Sequence, residues 1–129
     1  MRSHLETLFQ KKDIPLSAEQ WALMGTLWSN AEGLSANQLG QKTLKEKSTV
    51  SRHISKLKKK GWVEERDNIE DGRSTLLQPS QKANSKSMLV FNCIKKTSEL
   101  AEKGISKREL KTTLDVLMKI QKNFDCLNK

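Results

Sequence analysis

Residues 45–60 read KEKSTVSRHISKLKKK, and this stretch decides the fold. Val50, Ile54 and Leu57 recur at helical spacing and make one narrow apolar stripe. Ser48, Arg52, Ser55 and Lys59 fall on the opposite face at the same spacing. The stretch holds seven basic residues and one acidic residue, Glu46, for a net charge of +6. Its neighbours differ: residues 1–44 carry four basic and four acidic groups, and residues 61–79 carry two basic and five acidic. A helix of this kind can lie on a core by its stripe and turn its cations toward a polyanion.

Upstream, Ser35-Ala-Asn-Gln38 is a capping box that opens a short helix with Ala36 and Leu39 on its inner side. The polar run from Thr43 to Glu46 suits a tight turn between helices. Further back, Ser17-Ala-Glu-Gln20 is another capping box. It opens a helix that carries Trp21, Met24, Leu27 and Trp28 and stops near Asn30, before the turn at Gly33. Downstream, Gly61 suits a left-handed cap. Residues 62–66 then read as a strand, 67–73 as a turn-rich loop and 74–78 as the returning strand, ended by Pro79. Ser80 caps a long helix to Lys103 that holds Met88, Leu89, Val90, Phe91, Ile94 and Leu100. Gly104 breaks it, and the capping box Ser106-Lys-Arg-Glu109 opens a last helix. That helix carries Leu110, Leu114, Leu117, Met118 and Phe124 along one side.

The expected fold is mainly α with a small β-hairpin: a winged helix-turn-helix followed by C-terminal dimerisation helices. At 129 residues the chain is read as one domain, with a short N-terminal segment 1–15, a winged helix 16–79 and dimerisation helices 80–129. Sharing the last helix's stripe between two copies would enlarge a modest core. No apolar run approaches the ~20 residues of a membrane span, and residues 1–10 lack the apolar block of a signal peptide. With these features and a mean hydropathy of -0.69 the chain is expected to be soluble and cytoplasmic, and its net charge of +9 points to a polyanion partner. Cys93 and Cys126 lie far apart with no histidine near them, so neither a metal site nor a cofactor is expected. No Gly-rich phosphate loop, H-E-x-x-H or G-x-S-x-G is present, and the chain is not expected to be an enzyme or to have catalytic residues.

On DNA each part of this order has a physical role. Ser48 and Thr49 lie at a helix start, where backbone N–H groups favour a phosphate. Arg52 can reach base edges, where pairing with guanine is the commonest specific contact. Lys56 and Lys59 are placed for phosphates, which position the protein. Ser35, Asn37, Gln38, Lys47, Ser51 and Ser55 complete the candidate contacts to double-stranded DNA. His53 reads either as a phosphate contact or as a structural histidine, Lys58 and Lys60 as solvated cations, and the three tryptophans as core. The alternative function is a winged-helix interaction module, or accessory co-regulator, that docks an acidic partner.

Residues 16–83 resemble the MarR family of winged-helix transcriptional regulators. The resemblance rests on Leu16-Ser-Ala-Glu-Gln-Trp21, Lys47-Ser-Thr-Val-Ser-Arg52, Leu57-Lys-Lys-Lys-Gly61 with Val63-Glu64, and Glu70-Asp71-Gly-Arg73. It implies a homodimeric repressor on palindromic operators. The family's dimer interface is formed by the N-terminal segment and the last two helices; here it is expected to include Met88, Phe91, Leu110, Leu114, Leu117 and Phe124. It also implies a small, frequently aromatic effector between the dimer helices and the DNA-binding lobe. By position, Arg73 becomes the wing arginine of the minor groove and Asp71 its tether. A narrow minor groove attracts an inserted cation, which agrees with that role for Arg73. The segment before Leu16 is shorter than is usual in the family, Glu65 and Gly72 stand where basic residues are common, and Pro79 replaces an apolar strand residue.

Overall fold

The structure, a computed structural model, describes residues 2–67 and 75–127. Those residues fall into two compact units, 1–95 and 96–129. The element order is α1 (Arg2–Lys11), α2 (Ala18–Trp28), α3 (Ala36–Thr43), α4 (Lys47–Lys59), β1 (Val63–Asp67), β2 (Thr75–Pro79), α5 (Gln81–Ala101) and α6 (Lys107–Leu127). None of the described helices is long and apolar enough to cross a membrane.

Local chemistry accounts for these boundaries. Ser17 accepts from the Gln20 N–H at 3.1 Å, and the Gln20 amide oxygen accepts from the Ser17 N–H at 3.2 Å. Ser35 and Gln38 form the same reciprocal pair, as do Ser106 and Glu109. All three capping boxes expected from the sequence are therefore formed. Gly61 takes φ +76 at the end of α4. Helix α5 stops at Ala101, short of the expected Lys103, and a turn bonded from the Ile105 N–H to the Glu102 carbonyl follows.

The hairpin lies one residue later than the sequence suggests. β1 and β2 pair antiparallel from Val63↔Pro79 to Asp67↔Thr75. Pro79 is the last residue of β2, where its missing N–H breaks no later ladder bond. Leu34 adds a one-residue bridge by exchanging two backbone bonds with Leu77, which ties the approach to α3 to the hairpin.

The core sits in the first unit. Leu23, Met24, Leu27, Leu39, Val50, Ile54, Leu57, Trp62, Leu77, Ala83 and Val90 are all buried in one cluster. Ala36, expected on the inner side of α3, is exposed; Leu39 and Gly40 are the buried pair instead. The N-terminal segment is a helix, and Leu5 and Phe9 from α1 enter the same cluster with Ile14 and Leu16. In the second unit α6 has no buried residue, although it bears Leu114, Val116, Leu117, Met118, Ile120, Phe124 and Leu127.

The cap of α6 has a pH dependence of known sign. Hydrogen bonds from the Ser106 backbone N–H, and then from its side chain, hold the Glu109 carboxyl below its ordinary value of 4.5. Its contribution is therefore complete above 4.5 and is lost as pH falls through the lower folded value. Backbone carbon shifts at residues 107–110 should move toward coil values in that acid interval, ahead of the middle of α6.

Candidate nucleic-acid interface

Helix α4 is fixed from beneath and open above. Val50, Ile54 and Leu57 are buried, as the stripe required, and Lys47, Ser48, Ser51, Arg52, Ser55, Lys56 and Lys59 are exposed. Thr49 is half-buried. Among the described residues no side chain pairs with Arg52, so its guanidinium is available to a ligand. The N-cap residue, Glu46, makes no side-chain cap bond, which leaves the first-turn N–H groups beside Ser48 and Thr49 without that internal acceptor.

A buried polar chain adds to the apolar grip on α4. His53 is only 6% exposed, which excludes the phosphate-contact reading and supports the structural one. Its Nε2 lies 2.8 Å from Glu19 Oε2 and its Nδ1 lies 3.5 Å from Gln20 Nε2. Gln20 Oε1 accepts from Ser17 N–H and from Lys60 Nζ, each at 3.2 Å. That orientation aims the amide N–H at His53 Nδ1, so Nδ1 accepts and Nε2 carries the proton donated to Glu19. Lys60 also donates to the Pro15 carbonyl at 2.6 Å. Burial, and then Lys56, lower its pKa. Lys60 is thus a half-buried strut between α4 and the start of α2, not a solvated cation.

The other candidates divide. Asn37 is exposed and open, whereas the side chains of Ser35 and Gln38 are engaged in the α3 capping box. Arg73 and Asp71 lie outside the described residues. On β1, Glu64, Glu65, Arg66 and Asp67 are exposed. Glu65 pairs with Lys58, and Arg66 donates to the Glu32 carbonyl, so two wing side chains are held by the helical body. Met88, Leu114, Leu117 and Phe124 are exposed and Leu110 is half-buried. Phe91 is 41% exposed and lies 5.3 Å from the Trp28 ring centre and 6.0 Å from that of Trp21. Beside it an open cleft of about 540 Å³ is lined by Trp21, Gly25, Thr26, Asn30, Lys42 and Phe91. The groups that sequence reasoning missed are Glu19, Gln20 and Lys60, whose contacts join the start of α2 to α4 and its cap across more than thirty positions. Among the described residues no group of acidic, histidine and cysteine side chains could hold a metal ion.

The sequence pattern of the MarR family matches residues 13–74. No curated protein matches the chain. Solved structures do, and show the fold. A MarR protein from Peptoclostridium difficile is 21% identical, with a TM-score of 0.78 over 95% of this chain and 79% of its own. The S. aureus MepR–DNA complex is 15% identical, with a TM-score of 0.83 over 96% and 88%. A mutant MarR from E. coli complexed with operator DNA is 18% identical, with a TM-score of 0.76 over 92% and 81%. The stretch that matches the MarR family, residues 13–74, holds the two capped helices, the basic helix and the first strand.

Proposed function

We propose that the chain is a sequence-specific regulator of transcription that binds double-stranded DNA as a homodimer and acts as a repressor on palindromic operators. One observation carries the reading: a helix buried along Val50, Ile54 and Leu57 presents Ser48, Arg52, Ser55 and Lys59 to solvent in one row. A row of that length and chemistry suits a major groove. The S. aureus and E. coli neighbours, which were solved with DNA, support it. Arg52 is assigned to a base, Ser48, Thr49, Lys56 and Lys59 to phosphates, and Arg73, tethered by Asp71, to the flanking minor groove. Residues 80–129 serve as dimerisation helices, which brings two copies of α4 about one helical turn apart on the duplex.

Selection of bound sites from random duplex DNA tests this directly. It should return an imperfect palindrome with half-sites ~10 base pairs apart. Affinity should fall with salt at a log–log slope of about -0.9 per phosphate neutralised. Absence of duplex binding at low salt would move the assignment to a docking module for an acidic protein partner.

Dimerisation has a separate test. Leu114 is 59% and Leu117 is 56% exposed on a helix with no buried residue. An apolar face of that extent favours a partner. Placing aspartate at both positions should give monomers in sedimentation runs and abolish preference for two half-sites over one.

The cleft beside Phe91 supports effector control. Two aromatic residues, Trp21 and Phe91, and one cation, Lys42, suit a small aromatic carboxylate, and about 540 Å³ is ample for one. To release DNA, such a ligand must prefer the DNA-incompetent state. Gly25→Ala would narrow the cleft by pressing on Trp21, since a Cβ there lies 3.0 Å from that ring. Loss of ligand-dependent release in that variant, with DNA affinity kept, is the expected result.

A further inference from the structure

Three helices of the first unit end in the same two-bond cap, and one of them carries the wrong residue for it. At the end of α1, Asp13 takes φ 55, its N–H bonds the Gln10 carbonyl at 3.2 Å, and the next N–H, of Ile14, bonds Phe9 at 2.8 Å. At the end of α4, Gly61 takes φ +76, with Gly61 bonded to Lys58 at 3.0 Å and Trp62 to Leu57 at 2.9 Å. At the end of α3, Leu44 takes φ 55 and ψ 39, with Leu44 bonded to Gln41 at 3.4 Å and Lys45 to Gly40 at 3.1 Å. All three are Schellman caps. Glycine has no Cβ to clash in the left-handed region, and aspartate tolerates it; leucine is strained there.

Among the described residues, the apolar pair that steadies the other two caps is missing at α3. The other two caps carry the apolar pair that accompanies this motif: Phe9 with Ile14, and Leu57 with Trp62, all buried. The equivalent pair at α3 is Gly40 and Lys45, which offers no apolar contact. Leu44 itself is 78% exposed. A strained, solvated leucine at the turn into α4 is better explained by something that covers it from outside.

The surroundings define the occupant. An open cleft of about 410 Å³ lies beside Leu44, with Asn37, Gln41, Lys45 and Lys47 among its lining. The only acidic residue between positions 40 and 50 is Glu46, against Lys42, Lys45 and Lys47. Amides and ammonium groups around an apolar centre match a sugar–phosphate strand: charged phosphates on either side of an apolar deoxyribose. We propose that this cleft binds one strand of the duplex backbone, with Leu44 against a deoxyribose and Lys45 and Lys47 on the flanking phosphates. The proposal rests on the duplex-DNA reading above and adds a contact that carries no base information.

The test separates stability from binding. Leu44→Gly removes both the strain and the apolar contact. It should raise Tm by roughly 3–6 °C. It should weaken duplex DNA by about five- to tenfold, equally on selected and random sequences, with the salt slope unchanged. Leu44→Met should keep near wild-type affinity, because it retains apolar bulk. Lys45→Gln and Lys47→Gln should each reduce the salt slope by about 0.9. A more stable Leu44→Gly protein with undiminished affinity overturns the proposal. So does a Leu44→Gly protein whose only change is in its association state, which would assign the leucine to a second copy of the chain. Failure of the wild-type chain to bind duplex at low salt overturns the underlying reading instead, and is seen before any variant is made.

Discussion

Replacing Phe9 by alanine should destabilise the protein by about 3–5 kcal/mol, the largest single loss expected from the N-terminal segment. The ring is 0% exposed and belongs to the cluster that also holds Leu57, the inner anchor of α4. Removing it deletes apolar area and leaves a cavity that the capped end of α1 restrains from closing, because the Phe9 carbonyl also accepts the Ile14 N–H. Urea denaturation at one fixed protein concentration measures the loss, with Gln10→Ala, at an exposed site, as the control. A loss below about 1 kcal/mol would show that α1 rides on the surface, in the range usual for surface substitutions.

The second large effect concerns recognition. Arg52→Ala should cost about 1–3 kcal/mol on the selected operator and much less on random duplex, so that sequence preference flattens. The side chain stands exposed on the row opposite Val50 and Ile54, and among the described residues nothing inside the protein competes for it. Arg52→Lys keeps the charge but loses the planar fork, and should recover affinity for random DNA without recovering the preference. If Arg52→Ala weakens all duplexes equally, Arg52 holds a phosphate and the base contact must be sought elsewhere on α4.

What was legible in the sequence is what local chemistry controls. The three capping boxes, the left-handed Gly61 and the stripe of α4 each depend on residues within one or two turns, and each is formed. Helix α1 was not legible. Leu5, Leu8 and Phe9 have helical spacing, but the run is short, mixed and without a capping signal, and its burial comes from distant core residues. His53 was ambiguous for a related reason. It sits in the most basic stretch of the chain, yet faces inward because Glu19 and Gln20 meet it from another helix. In sequence, Lys60 is indistinguishable from Lys58 and Lys59; only the fold brings the Pro15 carbonyl within its reach. Leu44 was missed because the left-handed turn is a property of how α3 meets α4, and a lone leucine in a polar run announces no such turn.

The aromatic residues around α2 have an optical consequence. The chain has three tryptophans and no tyrosine, so its intrinsic emission comes almost wholly from Trp21, Trp28 and Trp62. Their ring centres are linked at 6.4 Å from Trp21 to Trp28 and at 6.4 Å from Trp28 to Trp62. At such spacing excitation passes among the three rings before it is emitted, and the fluorescence should be strongly depolarised even in a slowly tumbling molecule. Trp62 is buried, and among the described residues its indole N–H has no acceptor, which favours emission toward the blue. Trp28 instead donates to Asn84 at 2.9 Å on α5. The protein's native fluorescence is thus a gauge of one corner, where α2, the start of β1 and α5 meet. Helix α6, which bears no tryptophan, would unfold almost unseen by that light.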